Sequence, residues 1–251
     1  MDIQLIRNAT IKITYAGKTI LIDPMFSKKG AIESFAGIER NPIVNLTVSI
    51  DNILRDLDFV IVTHTHPDHF DALAREKLPK DIKLFCQPSD KEYMQKAKFV
   101  NTEVVETRTT FETISLTRTS GKHGSGEVLA QMGNVSGFVL QANNEPTVYI
   151  VGDSIWCEEV KTALNTFKPD IIITNSGGAI MPGFENHPIL MNEEETILLA
   201  KHSDNAKIVA VHLESLDHCR VTRNSLRQLA NEQGIDEAQL IIPMDGQLVT
   251  L

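Results

Sequence analysis

Short apolar runs at strand spacing open the chain. Residues 3–7, 10–15 and 19–22 alternate β-branched with polar side chains and read as strands. Ala16-Gly17-Lys18 between the last two is a hairpin turn signal, and Asp23-Pro24 stops the third strand. Residues 25–50 show no periodicity and contain Gly30, Gly37 and Pro42. They read as a long surface loop, either a substrate lid or a variable insertion. The apolar run at 58–63 predicts a buried strand, and Asp71 caps a helix over 72–78. A strand at 82–86 precedes a helix from Ser89 to residue 97, and strands follow at 103–106 and 111–118. Residues 120–126 form a glycine-rich loop around His123. Strands at 137–141 and 147–151 pair across Asn143-Asn144-Glu145-Pro146.

From there the pattern becomes β/α alternation. A helix over 157–167 leads to a strand at 170–174 and a loop through Gly177, Gly178, Pro182 and Gly183. Asn192 caps a helix with Glu193, Glu194 and Glu195 in its first turn, where the helix dipole favours acids. A strand at 207–212 follows. Thr222 then caps a helix over 223–233 that Gly234 ends, and strands at 239–242 and 247–250 close the chain. Each half begins with hairpin-like strands and finishes with β/α units. Two mixed sheets with helices outside both satisfy that pattern within one domain over residues 1–251.

Composition narrows the class. The 251 residues suffice for a substantial core, and 42% hydrophobic with 23% charged residues is ordinary for a soluble globular protein. The net charge of −9, with no Lys/Arg run, excludes the electrostatic footprint of a nucleic-acid binder. No apolar run reaches the roughly 18–20 residues that span a bilayer. Cys86, Cys157 and Cys219 are odd in number, scattered and outside any CxxC. With a first segment unlike a signal peptide, they read as reduced thiols of a cytoplasmic protein. The expected partner is a small-molecule substrate; homo-oligomerisation is left open.

The chemistry concentrates at Thr63-His64-Thr65-His66-Pro67-Asp68-His69-Phe70-Asp71, directly after the 58–63 strand. Three imidazoles and two carboxylates at a strand exit are what a metal site needs, because the strand fixes the backbone while the loop aims the donors. His123, Asp153 and His212 lie at other strand ends or in the glycine loop. Imidazole and carboxylate suit Zn²⁺, Mn²⁺ or Fe²⁺ without a cysteine. Two metals can activate a water and clamp a carbonyl or phosphoryl oxygen, and Asp153 is the natural bridge.

His64-x-His66-x-Asp68-His69, followed in order by His123, Asp153 and His212, resembles the metallo-β-lactamase superfamily over nearly the whole chain. The resemblance implies a four-layer αββα sandwich of two mixed sheets, with a dinuclear site at one edge. It implies that His64, His66 and His123 bind one divalent metal, that Asp68, His69 and His212 bind the other, and that Asp153 bridges them. Zn is the expected metal, with Mn or Fe as alternatives. Leu21-Ile22-Asp23-Pro24, Gly152-Asp153-Ser154 and 209–214 are similar to the branch containing L-ascorbate-6-phosphate lactonase. That implies hydrolysis of a small ester or lactone, in some cases phosphorylated, by a metal-activated water, with Asp68 orienting the nucleophile or moving a proton. A phosphodiesterase and a mononuclear-iron oxidoreductase on the same scaffold are the alternatives.

Other residues read more plainly. Asp23 is expected to orient a ligand histidine or to pin a turn, not to bind metal itself. His187 and His218 are open between substrate contact and plain loop, and His202 reads as inert. Arg220 and Arg223 read as solvated, Cys157 and Cys219 as small packed residues, and Trp156 as packing.

Overall fold

A computed structural model of the chain describes residues 1–203 and 205–251. β1 (Asp2–Arg7), β2 (Thr10–Tyr15) and β3 (Lys18–Ile22) form an antiparallel meander. The β2–β3 turn uses Ala16 and Gly17, both at positive φ. β3 then pairs in parallel with β4 (Phe59–Val62), which continues in parallel to β5 (Lys83–Cys86) and β6 (Thr102–Val104). The helices α1 (Ile50–Leu54), α2 (Ala72–Lys77) and α3 (Lys91–Lys96) are interspersed with these strands.

The second sheet repeats the scheme. β7 (Arg108–Phe111), β8 (Ile114–Ser120), β9 (Ser136–Gln141) and β10 (Val148–Ile150) run antiparallel. β11 (Ile171–Asn175), β12 (Lys207–Val211) and β13 (Leu240–Ile241) extend it in parallel. Between them lie α4 (Gly126–Met132), α5 (Glu158–Phe167), α6 (Glu193–His202) and α7 (Arg223–Glu232). The last strand, β14 (Leu248–Thr250), leaves this half and pairs with β1. The result is two seven-stranded mixed sheets.

The strand pattern explains the layers. In β4, Phe59 and Ile61 point into a cluster with Ile13, Phe138, Ile150 and Val211, which is the interface between the sheets. Val60 and Val62 point the other way, against Ile53, Ala74 and Met94 of the first-half helices. In β11, Ile171 and Ile173 face the intersheet cluster, while Ile172 packs on Val160, Leu199 and Leu226 of the second-half helices. A period of two on strands covered on both faces therefore yields helix, sheet, sheet and helix layers, as expected from the sequence.

Several local expectations shift. Asp71, Asn192 and Thr222 cap their helices through side-chain oxygens as predicted. Ser89 does not cap α3. Pro88 opens a 3₁₀ turn through Asp90, and the helix begins only at Lys91. The strand expected over 111–118 is present from Ile114 as β8, but Phe111 belongs to β7, because Glu112 adopts φ 50° and turns the chain between them. Residues 126–132 are helical although they carry no predicted element.

Candidate metal centre

The parallel strands run toward one rim, and four of them, β3, β4, β10 and β12, deliver a donor or its partner there. β4 runs into Thr63 and the His64–His69 loop, while Asp23 follows β3. Asp153 follows β10, His212 follows β12, and His123 lies in the β8–α4 loop. The structure brings all seven expected donors together in two groups. His64, His66 and His123 form one; Asp68, His69, Asp153 and His212 form the other. Within each group the candidate ligand atoms lie within 4.8 Å of one another. Asp153 faces both: its Oδ2 is 3.1 Å from His69 Nε2, 3.4 Å from His123 Nε2 and 3.8 Å from His64 Nε2. Its Oδ1 is 3.9 Å from His212 Nε2.

The outer partners fix which nitrogen of each ring faces inward. His69 Nδ1 donates to Asp23 Oδ2 at 2.8 Å, and His123 Nδ1 donates to the Ile189 carbonyl at 2.8 Å. His64 Nδ1 lies 3.2 Å from Thr63 Oγ1, which itself donates to Asp23 Oδ2. His212 Nδ1 lies 3.5 Å from Cys219 Sγ. In all four rings Nε2 is left for the centre, the arrangement by which outer hydrogen bonds orient metal-binding imidazoles.

Electrostatics supports a cationic occupant. Burial pushes His64 and His123 down, which keeps them neutral donors. Burial would also lower His69, but Asp153, Asp68 and Asp23 outweigh it and push it up to about 10. The same contest, won by Asp153, holds His212 well above its ordinary value. Burial would raise Asp153 and Asp68, yet the facing imidazoles hold both below the usual carboxylate range. Buried carboxylates this close demand positive charge, which divalent cations supply. Two further details fit. His69 Nε2 is buried with no hydrogen-bond partner. His64 Nε2 lies 3.0 Å from His66 Nδ1, two ring nitrogens close enough for one cation to engage both.

Some supporting residues carry no readable signal in the sequence. Asn8, at φ 57° in the β1–β2 turn, donates Nδ2 to the Asp68 carbonyl, and its own carbonyl accepts from His212 N–H. One residue, through its side chain and its backbone carbonyl, thus ties two donors that are distant in sequence. Asn175 donates to Asp153 Oδ1 at 2.6 Å. It ends β11 at the same rim, so the strand-exit rule that found Asp153 also reaches it.

The open candidates resolve into different places. His218 is buried and lines the cavity above the donors, and burial pulls its imidazole down to about 4, so it is neutral. His187 is exposed and bonds Ser125 Oγ, while His202 is exposed beside Trp156 and Asn165. Arg223 is paired with Glu214 and Asp245, and Arg220 is exposed. Among the described residues no helix is long and apolar enough to cross a membrane.

Comparison with known proteins agrees with this geometry. Residues 18–213 match the family model described as a beta-lactamase superfamily domain. The chain is 39% identical to the UPF0173 protein YddR of Bacillus subtilis, over the full length of both. A possible metal-dependent hydrolase from Veillonella parvula is 35% identical, with TM-score 0.96 over 100% of this chain and 99% of that one. An isothiocyanate hydrolase from Delia radicum gut bacteria is 38% identical, with TM-score 0.94 over the same shares. The chain belongs to the metallo-β-lactamase superfamily and, within it, to the UPF0173 metal-dependent hydrolases.

Proposed function

We propose that this chain is a dinuclear hydrolase of small neutral electrophiles that carry an apolar group. Isothiocyanates are the first substrate class, and lactones or esters the second. One observation carries this reading. A cavity of about 160 Å³ opens onto His66, Asp68, His123 and Asp153, and its other walls are largely apolar: Phe35, Met132, Met181 and Ile189. Its described lining contains no lysine or arginine to meet a phosphate, which counts against phosphorylated lactones and phosphodiesters. The likeness to an isothiocyanate hydrolase supports the choice of first class.

His64, His66, Asp68, His69, His123, Asp153 and His212 would hold two divalent cations, which when bound would supply an acidified water and an electrophilic clamp. The protein does the rest. Asp153, lying between the groups, would hold both cations. Asp68 Oδ2, 3.2 Å from His212 Nε2, is placed to orient the water and move its proton. The apolar walls seat the substrate's R group and exclude bulk solvent. For R–N=C=S, the water oxygen bonds to the central carbon and a proton moves to nitrogen. The resulting thiocarbamic acid breaks its N–C bond, giving R–NH₂ and carbonyl sulfide.

Metal analysis of the purified protein, with assays on allyl and benzyl isothiocyanate, simple lactones and bis(4-nitrophenyl) phosphate, tests this reading. Two metals per chain and amine release from the isothiocyanates are expected, with both lost in Asp153→Ala. Lactone turnover alone moves the second class to first. One iron with oxygen consumption, or phosphodiester turnover alone, overturns the proposal.

A further inference from the structure

The loop expected over 25–50, which the sequence leaves between lid and insertion, ends where α1 begins at Ile50, and its 25–49 segment is fastened from both sides by buried charges. From below, Arg7 of β1 donates Nη1 to the Val44 carbonyl at 3.1 Å and Nη2 to the Met25 and Ser27 carbonyls at 3.1 and 2.9 Å. From the side, Asp217 receives donors from the loop tip. The N–H groups of Phe35, Ala36, Ile38 and Glu39 point at its carboxylate at 3.0 to 3.3 Å, and Ser34 Oγ donates as well. Asn41 closes a reciprocal pair: its Nδ2 donates to Asp217 Oδ1 and its Oδ1 accepts from Asp217 N–H, both at 2.8 Å. Backbone pairing of Ile32 with Asn41, and of Ile43 N–H with the Ser215 carbonyl, braces the base. A guanidinium that gathers carbonyls and a carboxylate that gathers N–H groups satisfy a loop lacking a ladder of its own.

This fastening has one product inside the cavity. Phe35, whose own N–H is held by Asp217, sets its ring edge-on to His218, with centroids 5.1 Å apart and planes at 85°. Phe35 is the 25–49 residue that lines the cavity above the metal donors. A wall held by many charge-assisted bonds is fixed before a ligand arrives, so its shape selects among ligands.

We propose that Phe35 is the specificity-determining residue of this site and that Asp217 is the positioning residue that sets it there. Phe35 limits the size of the group a ligand carries on the side of the metal donors. This assignment rests on the cavity being the substrate site of the hydrolase proposed above.

Two readouts independent of turnover test it. The first is binding of ethanethiol and 2-phenylethanethiol to the metal-loaded protein by calorimetry, because a thiolate engages the metals whatever the substrate is. Phe35→Ala should shift the affinity ratio toward 2-phenylethanethiol by roughly tenfold or more, and Phe35→Leu by less. The second is trypsin cleavage after Lys28, Lys29 and Arg40, which the fastened loop should resist. Asp217→Ala should open these sites and move the thiol ratio in the direction of Phe35→Ala, with metal content unchanged. If Asp217→Ala does not fold, Asn41→Ala removes one donor of the clamp and should do both more weakly. A ratio that stays or falls in Phe35→Ala overturns the selectivity role. Unchanged ratio and cleavage in both clamp variants overturn the positioning role. Failure of the hydrolysis assays with these shifts intact refutes the reaction and not the wall.

Discussion

Asp23 accepts a hydrogen bond from His69 Nδ1 at 2.8 Å, across 46 residues of sequence. The carboxylate cannot rotate away, because Thr63 donates to it twice: N–H to Oδ1 and Oγ1 to Oδ2, each at 2.7 Å. The same Thr63 hydroxyl touches His64. One carboxylate therefore orients a donor in each of the two groups. In Asp23→Asn the shape and the positive φ of 46° are kept, since asparagine tolerates that conformation. The amide, however, loses one acceptor among three donors. Metal affinity should fall roughly 10- to 100-fold, read by competition with a chromophoric chelator. Wild-type affinity in this variant would remove Asp23 from the orienting role.

His212 depends on a glycine. It adopts φ 65°, rare for a residue other than glycine, and its carbonyl faces Gly177, two residues past the end of β11. A Cβ on Gly177 would lie 2.3 Å from the His212 carbonyl oxygen and 2.9 Å from Cys219 Sγ. The backbone of a candidate ligand would have to move. Gly177→Ala should cost roughly 1–3 kcal/mol in urea unfolding and lower metal content at the same time. Lost stability with full metal content would show that the strain relaxes away from His212.

Much of this site can be read from the chain because strands hand it over. Each expected donor is a polar residue where an apolar run stops or in the loop that follows, and parallel strands bring those ends to one rim. The period of two likewise gives the layers, since Phe59 and Val60 cannot share a face. Asn8 and Asp217 leave no comparable trace. Their partners are mostly backbone groups of remote loops, and any chain segment supplies those. Phe35 is hidden for a related reason. A single aromatic in an aperiodic loop acquires meaning only through the clamp that aims it.

Arg7 is the largest fully buried side chain, and its guanidinium serves carbonyls, with no salt bridge among the described residues. Burial lowers its pKa to about 10, with Asp71 and Asp245 opposing, so it stays charged at neutral pH. Arg7→Met would fill much of the space but leave the carbonyls of Met25, Ser27 and Val44 without that donor. At about 1–3 kcal/mol for each buried acceptor left unsatisfied, the expected cost is roughly 3–5 kcal/mol, or a thermal midpoint lower by roughly 10 °C. Arg7→Lys should recover only part of it, because an ammonium cannot span carbonyls on both sides. A loss under roughly 1 kcal/mol would mean that water replaces the guanidinium there.

Asp217 makes the loop clamp sensitive to acid, and the sign follows from its partners. Burial would raise its carboxyl, but bonds from Ser34, Asn41, Phe35 and Ile38 outweigh burial and hold it well below the usual range. A group whose folded pKa is depressed adds stability that is present above its unfolded value, about 4. That stability is lost as pH falls through the folded value. Asp217→Ala deletes the contribution at every pH. The stability gap between wild type and variant should therefore be flat from neutral pH to about pH 5. It should amount to roughly 1–3 kcal/mol there and narrow progressively below about pH 4. Urea unfolding of both proteins between neutral pH and pH 3 measures it. A gap that stays constant to the lowest pH would show that the loop is held by its backbone pairing and not by the charge on Asp217.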